Sequence, residues 1–393
     1  MAARPLDDVT VLDFSQGVAG PAAGAFLADL GADVLAIEPP GGKTARKYSG
    51  PNVIPNIARN KRSIVIDLKA DESTELVQKL VEDADVLFHN NRPGVSERLG
   101  IDYETVSEIN PALVYCSITG YGETGPYRDR PTIDPLAQAM SGLMSMTGEP
   151  DRKPSRIGAS VADIGTALAA AFASLGALRH AERTGEGQKV EASLLDTAAS
   201  VMGSWYTEFD KNGEVPTRQG HTWNAYAPSG VFETATDPIY LATPLEFLWD
   251  RVCDAVDRED WQDDPRFETS DDRLENRDAL HAEMDEEFSN YERDELLERL
   301  HDGGVPASEV QTVGQAAHDP HLHERGTIRE VEDVDGEEVL ATSTPALFSA
   351  TPTTIESGPP QTGEHTREVL AERGYDETAI EDLIDTGVVD ASN

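Results

Sequence analysis

Between residues 9 and 118, short β-branched and apolar runs alternate with helical ones, and that alternation admits few folds. The runs at 9–14, 33–37, 63–67, 86–89 and 113–118 read as strands. Residues 21–30 read as a helix closed by Gly31, and 71–84 as an amphipathic helix with Ser73 and acidic side chains in its first turn, where the helix dipole favours them. Strands and helices in this order build an α/β, doubly wound Rossmann-like layer. An irregular stretch over 120–131 then precedes a helix near 134–146, a helix opening near Ala162, a strand over 188–193 and a helix from Leu194.

Composition shifts after Asp210. Residues 1–210 form the first part of a large domain, and 211–325 a linker with a smaller α+β domain containing strands at 231–233 and 239–242. Residues 326–393 return to the large domain. The apolar run from Val161 to Leu178 contains Asp163, Gly165, Thr166 and Ser174 and is mostly alanine, so it reads as a tightly packed helix and not as a membrane span. Residues 1–14 run directly into a strand pattern, without a charged start followed by an apolar signal core, and the expectation is a soluble, cytoplasmic protein.

The 73 Asp and Glu outnumber the 32 Lys and Arg, for a formal charge of −41. A binder of nucleic acid or of anionic membranes needs the opposite sign over its surface, so both partners are excluded. Only eight of the cations are lysine, and an acidic, lysine-poor chain resembles the proteome of a salt-loving organism. At molar salt the screening length is about 3 Å and self-repulsion is suppressed. Cys116 and Cys253 form no CxxC pair, and His318, His321 and His323 read as a solvated loop, so the expectation is no metal centre.

Against this background the stretch from Gly41 to Lys69 is anomalous. Lys43, Arg46, Lys47, Arg59, Lys61, Arg62 and Lys69 face a single acid within it, Asp67. Such a cluster suits a polyphosphate ligand, with Arg92 and Arg98 extending it; the other reading is clustering that relieves acidic repulsion. The βα turn from Asp13 to Gly24 joins strand to helix through Gly17 and Gly20, which would bring free N–H groups to a phosphate or simply allow tight packing. Asp163, at the opening of the alanine-rich helix, reads either as a dipole-favoured N-terminal acid or as a carboxylate nucleophile.

Taken together, Val11-Leu-Asp-Phe-Ser15 with Ala19-Gly-Pro21, Leu30-Gly-Ala-Asp-Val-Leu-Ala-Ile-Glu38, Asn60-Lys-Arg-Ser-Ile64, Arg92-Pro-Gly94, Arg98-Leu-Gly100, Ala162-Asp-Ile-Gly165 and Arg183-Thr-Gly-Glu-Gly-Gln-Lys-Val190 resemble the class III CoA-transferase family, which also holds the α-methylacyl-CoA racemases. Ser193-Leu-Leu-Asp196, Gly304-Val-Pro-Ala307 and Gly363-Glu-His-Thr366 match as well, so the resemblance spans nearly the whole chain. It implies an acyl-CoA site lined by Val18, Ala19, residues from Ile66 to Lys69, Asn90, Asn91, Arg92 and Arg98. It places the family's catalytic aspartate on Asp163 and gives Asp134 the task of steadying intermediates, helped by backbone N–H groups at the Asp163 helix start. No tightly bound cofactor is implied, and CoA and acyl-CoA are substrates. The racemase reading needs a histidine beside Asp134, where Pro131-Thr-Ile-Asp-Pro135 has Ile133, which transfers no proton.

The glycine-rich lid of some transferases corresponds here to residues 220–230, which are aromatic and polar. His221, Asn224, Tyr226, Arg46 and Arg156 are then candidates for holding a substrate carboxylate. The resemblance further implies an intertwined homodimer, and succinyl-CoA with mesaconate or a related dicarboxylate as the best-fitting substrates. A non-catalytic CoA-binding or dinucleotide-binding α/β protein is the reading from a different class.

Overall fold

The computed structural model describes residues 4–43, 46 and 50–391. A seven-stranded sheet is built from six parallel strands: β1 (Thr10–Asp13), β2 (Asp33–Glu38), β3 (Lys61–Ile66), β4 (Val86–His89), β5 (Val114–Thr119) and β6 (Gln188–Ser193). The seventh strand, Val389–Asp390, pairs antiparallel with β3, and the spatial order is Val389–Asp390, β3, β2, β1, β4, β5, β6. In register, Leu12 lies opposite both Leu35 and Leu87, so successive residues of each strand face opposite sides.

Both sides are covered, as a parallel sheet requires. Val11, Val34, Val86, Phe88, Val114 and Cys116 meet the helices α1 (Ala19–Asp29) and, later in the chain, α5 (Val161–Thr184). On the opposite face Leu12, Leu35, Ile64, Leu87 and Tyr115 meet α2 (Ser73–Glu82), α3 (Tyr103–Ile109) and the C-terminal helices Thr366–Glu372 and Glu377–Asp385. Helix α2 presents Leu76, Val77, Leu80 and Val81 to that core. All of α1 is buried, and its small residues let it sit close to its neighbours: a Cβ on Gly24 would come within 2.8 Å of Nζ of Lys61.

Helix α4 (Asp134–Met140) is shorter than the spacing predicts, because Gly142 adopts φ +90° and breaks the run before a short turn of helix, Leu143–Met146. Helix α5 is long and apolar enough to cross a membrane by length and composition alone. Its Ala167, Ala170, Ala171 and Ala177 are instead buried in the sheet core, where it packs against α1.

Two compact units result. One contains the described residues up to Met144, Arg156–Asn212 and the segment from Asp319 onward. The other contains Ser145–Ser155 and Gly213–His318. This second unit holds a three-stranded antiparallel sheet, Ser229–Phe232, Ile239–Ala242 and Ala307–Glu309, over a core that includes stacked Trp249 and Trp261 with Phe267 and Phe288. Its third strand carries only half-buried or exposed side chains, so no apolar pattern announces it.

Candidate active site

The strand order reverses beside β1, which has β2 on one side and β4 on the other. At such a switch point the loops leaving neighbouring strands diverge and a crevice opens beyond the carboxyl ends. Here it is a cleft of about 560 Å³. Its walls are Gln16 to Ala19 after β1, Asn90 to Pro93 after β4, Thr119 and Gly120 after β5, and Arg128 with Arg130 to Ile133 from the following loop. Asp163 opens into the same cleft from the first turn of α5.

The start of α5 is unusual in how it is capped. Ser160 makes no capping bond, and the carboxylate of Asp134, first residue of α4, takes that place. Its Oδ2 accepts the backbone N–H of Ala162 at 2.7 Å and that of Asp163 at 3.1 Å. Its Oδ1 accepts from Nε2 of Gln138 at 2.5 Å, while Gln138 Oε1 accepts the N–H of Ile157 at 2.9 Å. Asp134 thus fixes the turn that carries Asp163. One expectation needs correction: the N–H groups of Ala162 and Asp163 are engaged by Asp134 and do not stand ready for an oxyanion.

Burial, reinforced by the neighbouring Asp134 carboxylate, pushes Asp163 up to about 6. The carboxylate is therefore still the prevailing form at neutral pH, and a more basic oxygen than an exposed aspartate offers. Both properties suit a nucleophile.

Of the residues expected to touch CoA, Val18, Ala19, Asn90, Asn91 and Arg92 line the cleft. Ile66 is buried in the second core, Lys69 is exposed beside Asp67, and Arg98 ends the short helix Val95–Arg98; none of the three lines it. The cationic cluster is redistributed more severely. Nζ of Lys61 and Nζ of Lys43 lie 2.8 Å and 3.2 Å from Oδ2 of the buried Asp13. Arg46 bonds Glu38 through Nε at 3.0 Å and Nη2 at 2.8 Å, and Arg59 bonds Asp29 at 2.7 Å. Arg62 reaches Asp33 at 2.9 Å and Glu372 at 2.9 Å. Lys43, Arg46, Lys61 and Arg62 are consequently held in ion pairs away from the cleft, and Lys47 lies outside the described residues. Burial pushes Lys61 down to about 8 despite Asp13.

Arg156 bonds the carbonyl of Ile157 and does not line the cleft, and His221, Asn224 and Tyr226 belong to the second unit. There the loop is fastened internally, with the N–H of Val231 donating to Nδ1 of His221 and Arg277 donating to Oδ1 of Asn224.

Several cleft residues were not singled out from the sequence. His89 is buried, its Nδ1 accepts the N–H of Asn91 at 3.3 Å, and burial pushes it down to about 4, so its ring is neutral. Lys189 pairs with Glu123. Arg128 and Arg130 come from the loop before α4, and the Arg130 guanidinium lies 3.9 Å from the ring centre of Tyr127. A usable signal existed: two arginines just ahead of the Asp134 helix in a chain this acidic. Among the described residues, no three His, Cys, Asp or Glu side chains gather as a metal site.

Residues 6–366 match the model of CoA-transferase family III. The chain is 36% identical over 384 residues to succinyl-CoA–D-citramalate CoA-transferase of Chloroflexus aurantiacus, covering 94% of each. It is 35% identical to succinyl-CoA:mesaconate CoA-transferase of Haloarcula marismortui, covering 94% of this chain and 97% of the relative. The solved structure of a CaiB/BaiF family protein from Brucella suis superposes with a TM-score of 0.86 at 35% identity, over 94% of this chain and 99% of that one. The chain belongs to CoA-transferase family III, enzymes that move CoA between acyl-CoA thioesters and carboxylates.

Proposed function

We propose that this enzyme transfers CoA from succinyl-CoA to a C4 or C5 dicarboxylic acid, mesaconate or a close relative such as citramalate, with Asp163 as the covalent carrier. The observation that carries the proposal is the placement of a half-buried, basic aspartate, with Asp134 fixing its backbone, in the cleft at the sheet's switch point. The names of the relatives supply the substrate class: each of the two enzymes cited uses succinyl-CoA. Arg92, Arg128 and Arg130 in the cleft wall supply positive charge for the phosphates and for a carboxylate.

In the proposed sequence an Asp163 oxygen attacks the thioester carbonyl, the C–S bond breaks, and CoA leaves as thiolate from a succinyl-aspartyl anhydride. The thiolate then attacks the aspartyl carbonyl, which releases succinate and leaves an aspartyl-CoA thioester. The acceptor carboxylate attacks that thioester and expels the thiolate. In the last step the thiolate attacks the acceptor carbonyl, forming the new acyl-CoA and regenerating Asp163. Ile133 in the cleft wall offers no proton transfer, which sets this route apart from racemisation.

Donor and acceptor panels in molar KCl, read by mass spectrometry of the CoA esters, test the substrate assignment. Succinyl-CoA with mesaconate or citramalate is expected to exceed acetyl-CoA, formyl-CoA, oxalate and carnitine-type partners by at least about tenfold in kcat/KM, about 1.4 kcal/mol. Faster turnover with acetyl-CoA or formyl-CoA would overturn it.

We also propose a homodimer, in the interlocked form that the family resemblance implies. Helix α5 leaves Ile164, Leu168 and Phe172 exposed along one side, Phe172 at 80%, with Ile133, Val201 and Phe209 exposed in the same unit. A monomeric protein rarely leaves so many large apolar groups to water. Light scattering should give twice the 42.5 kDa chain mass; a monomer at micromolar concentration would contradict this.

A further inference from the structure

The β1–α1 loop forms one wall of the cleft, and its position depends on how Gln16 is held. Strands β1 and β4 are joined by backbone hydrogen bonds as far as the N–H of Phe14, which donates to the carbonyl of Phe88 at 2.8 Å. Beyond that point the two chains part to open the cleft. A side chain then continues the pairing. The N–H of Gln16 donates to Oδ1 of Asn90 at 2.8 Å, and Nδ2 of Asn90 donates to the carbonyl of Gln16 at 2.6 Å.

A carboxamide is the one short side-chain group that offers a donor and an acceptor side by side, as a peptide does. Aspartate lacks the donor, and a hydroxyl has only one atom for both tasks. On its other side the loop is anchored through Ser15, whose N–H donates to Oδ1 of Asp13 at 3.0 Å and whose hydroxyl bonds the same oxygen. Gln16 is therefore fixed between two anchors, immediately before Gly17 turns at φ +73° and Val18 and Ala19 enter α1.

We propose that Asn90 is a positioning residue: it holds the Gln16 to Ala19 wall where acyl-CoA needs it, and its principal role is exerted through that loop and not through its own contact with CoA. This rests on reading the cleft as the acyl-CoA site. It also assigns Asn90 differently from its neighbours Asn91 and Arg92, which line the cleft without bonding the loop opposite.

Hydrogen exchange on the ligand-free, full-length protein separates the two roles, combined with steady-state kinetics. In Asn90→Ala the Gln16 amide loses its acceptor, so the peptide covering residues 15–20 should exchange at least about tenfold faster, while the acyl-CoA KM rises about tenfold, about 1.4 kcal/mol. Its kcat should stay within about threefold and the acceptor KM should not move. Asn90→Asp keeps the acceptor and loses the donor, so it should retain slow exchange at Gln16, and it serves if the alanine variant folds poorly. A raised acyl-CoA KM with unchanged exchange would make Asn90 a direct ligand contact and overturn the proposal. Faster exchange with an unchanged KM would overturn it equally, since the loop's position would then be immaterial. Absence of turnover by the unaltered protein with any acyl-CoA would instead remove the acyl-CoA reading of the cleft.

Discussion

Asp163→Asn is expected to abolish transfer, with a loss on the order of 10³-fold or more in kcat, because the amide can form neither the anhydride nor the aspartyl thioester. The same substitution should stabilise the protein. Burial and the Asp134 carboxylate raise the Asp163 pKa to about 6, against 3.8 for an unperturbed aspartate. A raised value means that the folded state binds this proton more tightly than the unfolded state does. The stability it contributes is complete below about pH 3.8 and is lost as pH rises through about 6. At pH 8 the native state carries the full penalty of a disfavoured carboxylate, on the order of 1–3 kcal/mol. Thermal melts should therefore find Asp163→Asn more stable than the parent at pH 8 and nearly equal to it near pH 4. In the parent, kcat/KM for the donor should fall about tenfold for each pH unit below about 6, as the nucleophile is protonated. A variant that keeps its turnover would remove Asp163 from the chemistry.

The largest purely structural effect is expected at Asp13. Burial alone would raise its pKa, but the ammonium groups of Lys43 and Lys61 overcome that and hold it well below the usual carboxylate range. Asp13→Asn leaves both ammonium groups buried without a counter-charge, a situation that typically costs about 3–5 kcal/mol. Its contribution runs opposite in sign to that of Asp163. It is complete above the unfolded value of 3.8 and declines progressively as pH falls below it, so the gap between the parent and Asp13→Asn should be smaller at pH 3 than at pH 7 without closing. Urea unfolding at pH 7 and pH 3 measures both claims. A loss below about 1 kcal/mol at pH 7 would mean that the two lysines find other partners or give up their protons.

These two aspartates also mark what the sequence could and could not disclose. The strands are local objects, and their β-branched runs announce them within a few residues; β1 to β6 stand where the alternation predicts. The cationic cluster misled because charge was weighed only along the chain. Within 41–69 a single acid opposes the lysines and arginines, yet Asp13, Asp29, Asp33, Glu38 and Glu372 arrive from other strands and helices to neutralise them. Parallel pairing of β1, β2 and β3 brings Lys61 within reach of Asp13 and Ser63 within reach of Glu38, and no window of sequence displays that. Asp134 illustrates the same limit on a smaller scale. Its presence near Asp163 follows from the family resemblance, but its capping of α5 across 28 positions is a tertiary fact. Arg130 enters the cleft through a loop whose course no periodicity encodes.

The account stands or falls on whether Asp163 carries the substrate covalently. The direct measurement is to incubate the protein in molar KCl with succinyl-CoA, trap with hydroxylamine or borohydride, and map the modification by peptide mass spectrometry. The account predicts modification confined to the peptide containing Asp163, dependent on succinyl-CoA and absent from Asp163→Asn. A folded, CoA-binding protein that turns over succinyl-CoA while Asp163 remains unmodified, or that is labelled at another residue, would contradict it.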